Sequence, residues 1–372
     1  MIKRIVCFLI IFFCASFPVS AEENNLYKEQ FSVGVGDKIY EGLPADTREF
    51  LEDNALVPET EDWVFNITPQ NVFGHIFSFL KKGIKAPLVS CFAILAIVLL
   101  SAAIASNEMS PTLVTVTMYA TVLSAATVIC VPVFSVVTAS ANAMRGCTVF
   151  MTSFVPVFAA VVASSGAAVT AVSMSSLLLG ATQVVNYISN FAVMPLMSGY
   201  LSISIAAGVS PILNKSGIAD GIKKVSFWIM ALLTTVFVGI LSIQTAVGAS
   251  ADTLTVRTAK FLIGSSVPVA GTALAEALTT VTASVGLLKS SVGIYGVVAC
   301  VVIFLPLLAE LFMWRVGLNI TSAVSDLFSV GKISLLLRSV DSVLAVLMGI
   351  ILLTLAMFVI SLAVVITAGK VQ

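Results

Sequence analysis

Charged side chains are scarce in this 372-residue chain, and the few set inside apolar stretches are where chemistry would have to reside. A charge in hydrocarbon is costly unless paired, hydrated or protonated, so such residues mark sites. Glu276 lies between Ala275 and Ala277 in a stretch of small residues. It offers a carboxylate for proton or sodium coupling, or a side chain lining a hydrated interface. Gln183, Asn186, Asn190 and Gln244 can hydrogen-bond between helices or line an aqueous path. Glu310 near Arg315 reads as an ion pair at the end of a span. Arg257 and Lys260 either snorkel to the membrane surface or meet acidic groups outside it.

Covalent and nucleotide chemistry find no footing. The single histidine, His75, excludes His-rich metal sites and the HExxH arrangement. There is no GxxxxGK[ST] phosphate loop and no GxSxG nucleophile elbow. Gly34-Val35-Gly36 lacks the third glycine of a dinucleotide fingerprint. Cys91, Cys130 and Cys300 lie in apolar runs and Cys147 at the edge of one, which makes them small buried hydrophobes. No catalytic, cofactor-binding or metal-binding residue is expected, and the chain reads as a non-enzyme. No basic tract suggests nucleic acid.

The elements that carry these residues are written for lipid. Hydrophobic residues make up 59% of the chain, charged residues 10%, and the mean hydropathy is +1.08. A soluble domain carries about 25% charged residues. The fold class is therefore all-α, a polytopic helical membrane protein with lipid as its first partner. Residues 1–21 read as a signal peptide: Lys3 and Arg4, a short apolar core from Ile5 to Phe13, and a Val19-Ser20-Ala21 cleavage site. Residues 22–86 follow as an exported acidic segment. Twelve of the 19 acidic residues fall between Glu22 and Asp62. A short helix opens at Leu43-Pro44-Ala45-Asp46. Thr68 and Pro69 then open an amphipathic helix over 69–85, with Val72, Phe73, Ile76, Phe77, Leu80 and Ile84 on one side.

Residues 87–372 form the transmembrane domain. Full spans are expected at about 87–105, 112–139, 184–206, 225–248, 292–313 and 340–368. Two stretches rich in small residues, 141–180 and 250–290, lie between them and look like copies of one unit. Val155-Pro156-Val157 recurs as Val267-Pro268-Val269. After each proline runs a ridge at i, i+4 spacing: Ala159, Ala163, Ala167 and Ala171 in one, Gly271, Ala275, Thr279 and Ala283 in the other. Pro195-Leu196-Met197 echoes Pro306-Leu307-Leu308. The reading is a tandem repeat, with units at about 112–224 and 225–338 and a final span at 340–368.

Small ridges let helix backbones approach closely where lipid gives no hydrophobic drive to associate. Pro156 and Pro268 are expected to break or kink each stretch near its middle. Each stretch is then a membrane-embedded hairpin or two short tilted spans. Export of residues 22–86 runs the first span inward, and if both small-residue stretches return to their starting side, Lys215, Lys223, Lys224, Arg315, Lys332 and Arg338 face the cytoplasm. The stretches 214–224 and 315–338 are amphipathic and suit either an interfacial helix or a docking element.

The block from Ser242 to Val269, SIQTAVGASADTLTVRTAKFLIGSSVPV, resembles the stage III sporulation protein AE family. The signal peptide, acidic exported segment and multi-span body are similar too. The resemblance implies a multi-pass protein of the mother-cell membrane around the forespore, part of a transenvelope channel complex that sustains late forespore gene expression. It implies partners encoded with it, a secretion-type ATPase and ring-forming proteins, and through the complex stage II sporulation protein Q. Within that frame the chain would be a conduit or export gate. A structural scaffold and an ion-coupled secondary transporter using Glu276 are the alternatives. The family supplies no catalytic residues to carry over.

Overall fold

A computed structural model describes residues 42–53, 85–105, 111–188, 191, 194–209, 216–266, 271–328 and 330–367. The expected signal peptide, most of the acidic segment, the 69–85 helix and His75 lie outside the described residues. Among the described residues the elements are eight helices. They are α1 (Ala45–Asp53), α2 (Lys85–Ala105), α3 (Pro111–Ser164), α4 (Ala168–Ile188), α5 (Met194–Val209), α6 (Ser216–Ser266), α7 (Gly271–Leu327) and α8 (Gly331–Thr367). Six of them, α2, α3, α4, α6, α7 and α8, are long and apolar enough to cross a membrane. The chain is an all-α, polytopic membrane protein.

The helices are longer than the expected spans. The span at 112–139 and most of the small-residue stretch after it fuse into α3, 54 residues without interruption. The reason is local. Ser140 donates its hydroxyl to the Val136 carbonyl at 2.8 Å and Thr148 donates to Met144 at 2.9 Å. These polar side chains bond back into the helix instead of ending it. In α6, Ser250 to Ala246 and Thr253 to Ala249 do the same, and that helix runs 51 residues.

Pro156 does not end the first small-residue stretch. It lies exposed inside α3, and the helix continues through it to Ser164. The reversal comes at Gly166, whose φ of 88° only glycine adopts without strain. The Ala167 N–H reaches the Val162 carbonyl at 3.3 Å and the Gly166 N–H reaches Ala163 at 3.0 Å, the two bonds of a Schellman cap. Pro268 lies outside the described residues, between the end of α6 and the start of α7. The single span expected at 184–206 is likewise divided. α4 ends at Ile188 and α5 starts at Met194, with Pro195 in the first turn, where its missing N–H costs nothing.

α7 and α8 pack on each other more extensively than any other pair, and α3, α5 and α6 pack around α8. Glycines seat the large side chains at these contacts. The Phe154 ring lies against Gly296, and a Cβ on Gly293 would come within 2.5 Å of Ile366 and 3.1 Å of the Phe158 ring. One on Gly349 would come within 2.6 Å of Phe227. Phe150, Phe154 and Phe158 stack in sequence along α3, with ring centroids 5.2 and 5.4 Å apart. In lipid such close dispersion contact is what holds helices together. At the side of the bundle α1 buries Leu51, Pro44 meets Gly146, and Gly42 lies against Ser153.

Candidate functional site

Two charged residues are deeply buried among the described residues: Asp252, 6% exposed, and Lys289, 3% exposed. Asp252 is held by the start of α4. A helix start leaves N–H groups without intrahelical acceptors and carries partial positive charge. Val169 donates its N–H to Asp252 Oδ1 at 2.8 Å, and Thr170 donates to Oδ2 at 2.9 Å. One carboxylate thus fastens α6 to the α3–α4 turn across 82 residues of sequence. Gly248, one turn before Asp252, makes room, since a Cβ there would lie 3.1 Å from the Thr170 backbone. The hydroxyls of Thr170 and Thr245 are buried beside this contact without hydrogen-bond partners. With both oxygens engaged by amide donors, Asp252 clamps the turn.

A second polar group ties α7 to α8 at the end where they join. Arg315 Nε donates to Asp341 Oδ1 at 2.9 Å. Ser322 and Ser334 share a hydrogen bond at 3.0 Å, and Arg338 reaches Ser322 at 3.1 Å and Asp326 at 2.5 Å. Lys332 sits 3.8 Å over the ring of Tyr119, linking this end to α3. The ion pair expected between Glu310 and Arg315 does not form. Five residues apart on one helix, they point to different faces, and Arg315 turns to α8 instead.

The third feature is an outer face. On α3 the exposed residues after Arg145 are Val149, Thr152, Pro156, Ala160 and Ser164. On α4 they include Ala168, Val172, Ser176, Gly180 and Gln183. Small and polar residues alternate there with exposed Val149, Val169, Val172, Val184 and Tyr187. α6 carries a denser apolar row, with Val225, Trp228, Leu232, Val236, Ile240, Ile243 and Val247 exposed on one side.

The residues singled out from the sequence do not converge. Glu276 is exposed near the start of α7, its backbone carbonyl accepting from the Thr280 hydroxyl at 3.2 Å. Gln183 and Gln244 are exposed on α4 and α6, and Asn186 is half-buried. Asn190 lies outside the described residues. In the first ridge Ala167 and Ala171 are buried, and Ala159 and Ala163 are partly buried against the core. In the second, Gly271, Ala275, Thr279 and Ala283 lie on α7, and their side chains are outside the described set. Sequence reasoning missed Asp252 and Lys289. The signal was present, because Asp252 follows 27 uncharged residues from Val225 to Ala251, the same warrant that drew notice to Glu276.

A family model described as Stage III sporulation protein AE matches residues 54–369. A protein of Bacillus subtilis (strain 168) named Stage III sporulation protein AE is 27% identical over 312 residues, covering 82% of this chain and 77% of that protein. No solved structure matches.

Proposed function

Because this chain belongs to the stage III sporulation protein AE family, we propose that it is a non-enzymatic membrane subunit of the sporulation complex joining mother cell and forespore, and that it lines that complex's conduit or export gate. Its setting is the mother-cell membrane around the forespore, with residues 22–86 outside the cytoplasm. Its companions are the secretion-type ATPase and ring-forming proteins of the same complex, with stage II sporulation protein Q beyond them.

The observation that carries this reading is the outer face of α3 and α4. Thr152, Ser164, Ser176 and Gln183 stand exposed on a long charge-free stretch. Water or a neighbouring subunit can hydrogen-bond to these side chains, which lipid cannot, while Val149, Val172 and Tyr187 beside them give a subunit apolar contact. The exposed position of Glu276, away from the buried core, disfavours the coupled-transporter alternative.

The test uses single cysteines at Thr152, Ser176 and Gln183 in an otherwise cysteine-free chain. A bulky hydrophilic thiol reagent should block a late forespore reporter at these sites, while Val236→Cys on α6 should be indifferent. A reporter unaffected by labelling at all three sites would refute the lining role. Glu276→Gln should leave the reporter largely active.

A further inference from the structure

Two cysteines from distant parts of the sequence meet inside the bundle, which goes beyond the filling role that their apolar surroundings suggest. α3 and α7 run antiparallel there. Phe158 meets Gly293, and Phe154 meets Gly296. One helical turn further along, Cys300 comes opposite Cys147 and Met151, which lie four residues apart on one side of α3. The Cys300 thiol donates to the Met151 thioether at 3.9 Å. The Cys147 thiol interacts directly with the Cys300 thiol. All three side chains are 0% exposed.

The three sulfurs are donors of one kind. Thiolate and thioether ligands select soft ions, Cu⁺ among them. A metal–sulfur bond is about 2.3 Å, so two sulfurs in a trigonal set around one ion stand about 4 Å apart. The 3.9 Å between Cys300 and Met151 is close to that separation, so an ion could enter with little movement of either side chain. The cysteines are free thiols. A disulfide would draw two sulfurs to about 2.0 Å and leave Met151 without a part.

Charge and ligand count narrow the ion further. Structural zinc takes four ligands. Among the described residues no group of three or more His, Cys, Asp and Glu side chains is placed to hold a metal. The adjoining stretches, 146–188 and 290–309, carry no Asp, Glu, Lys or Arg. Apolar surroundings disfavour any net charge. A monovalent ion with one thiolate is neutral. Cu⁺ enters, one thiol proton leaves, and the second cysteine and the thioether complete the set through sulfur lone pairs.

We propose that Cys147, Met151 and Cys300 form a binding site for one Cu⁺ ion that bridges α3 and α7. No electron is transferred on binding. Because the sulfurs are closed to solvent, the ion enters only when the helices part, and once bound it resists their parting. Its binding free energy therefore adds to the stability of the bundle. Cys130 and the Gly317 seat of Cys91 each lie about 25 Å away along α3 and α7, so neither cysteine takes part.

Copper titration tests the site. The full chain, with Cys7 and Cys14 changed to Ser, would be purified in detergent without oxygen and titrated with Cu⁺ from its bicinchoninate complex. One ion per chain should be taken up, and X-ray absorption should show sulfur neighbours at about 2.3 Å. Cys147→Ser and Cys300→Ser should each cost more than the roughly 10–100-fold that follows loss of an outer-shell partner. Met151→Leu, which conserves volume, should weaken binding several-fold, and Cys91→Ser and Cys130→Ser should leave it unchanged. Cu⁺ should also raise the unfolding temperature of the parent and not that of Cys300→Ser. No uptake by the parent overturns the site, whether or not the variants fold. Uptake that survives in both Cys147→Ser and Cys300→Ser does so too, as does a copper ion held by nitrogen or oxygen alone. A Cys147–Cys300 disulfide in protein purified in air, with no Cu⁺ uptake after reduction, would replace the metal site with a redox crosslink.

Discussion

α8 and α6 are equally free of charge over their apolar stretches, yet they meet different surroundings. In α8, 78% of the most apolar window is buried in protein, against 22% in α6. Hydrophobicity alone does not say whether a membrane helix faces lipid or protein. What separates the two is fit. α8 accepts the Phe227 ring at Gly349, returns Ile366 to Gly293 of α7, and is pinned through Asp341. α6 turns its bulky residues outward and spends only Thr245, Gly248, Asp252 and a few neighbours on the contact with α4.

The sharpest way to break this contrast is to fill a glycine seat in the centre. Gly296→Leu would drive a side chain into Phe154 and should cost about 3 kcal/mol, the upper end for overpacking. Loss of detergent-extractable folded protein would report it, and normal abundance would show that the seat yields. Arg315→Leu comes next. It leaves the Asp341 carboxylate, 17% exposed, without its partner. The expected loss is about 2 kcal/mol, below the cost for a fully buried pair because this one is partly hydrated. Thermal unfolding in detergent would measure it, and Asp341→Asn added to Arg315→Leu should restore part of the loss.

The edge of α6 responds less. Asp252→Ala removes the acceptor for the Val169 and Thr170 N–H groups and should cost about 1 kcal/mol, typical of a lost helix cap. Faster amide exchange near 168–171 would locate the damage there. Asp252→Asn keeps one acceptor oxygen and should lose less, and equal damage in both variants would place the effect in the charge. Smallest is Val236→Leu on the outer row of α6, expected within about 0.5 kcal/mol of the parent. A large effect there would show that α6 is covered by protein after all.

Helix content and the membrane class were legible because uncharged runs of this length have few other uses. The family was legible from the Ser242–Val269 block. Helix ends were not, and the reason is specific. Ser140, Thr148 and Ser250 look like breaks in a hydropathy reading, yet each returns its hydroxyl to the preceding turn. Pro156 looks like a stop, yet the stop is Gly166, ten residues on, where backbone conformation decides. Glu276 drew attention because it interrupts small residues. Asp252 interrupts a longer apolar run and is the one that the fold buries, but its partners are amides of a helix start 82 residues away. No local pattern announces that pairing.

The order of the helices has a consequence for synthesis. α8 follows, in the chain, every helix that packs on it. While the ribosome is still making residues 331–367, the earlier segments must wait in the membrane with Phe227 unseated and the Gly293 seat for Ile366 unfilled. Assembly is therefore a late, concerted event. A chain halted before Ser342 would insert most of its segments and still present quality-control proteases with an open bundle, so nonsense and frameshift lesions near that point should behave as null alleles through degradation.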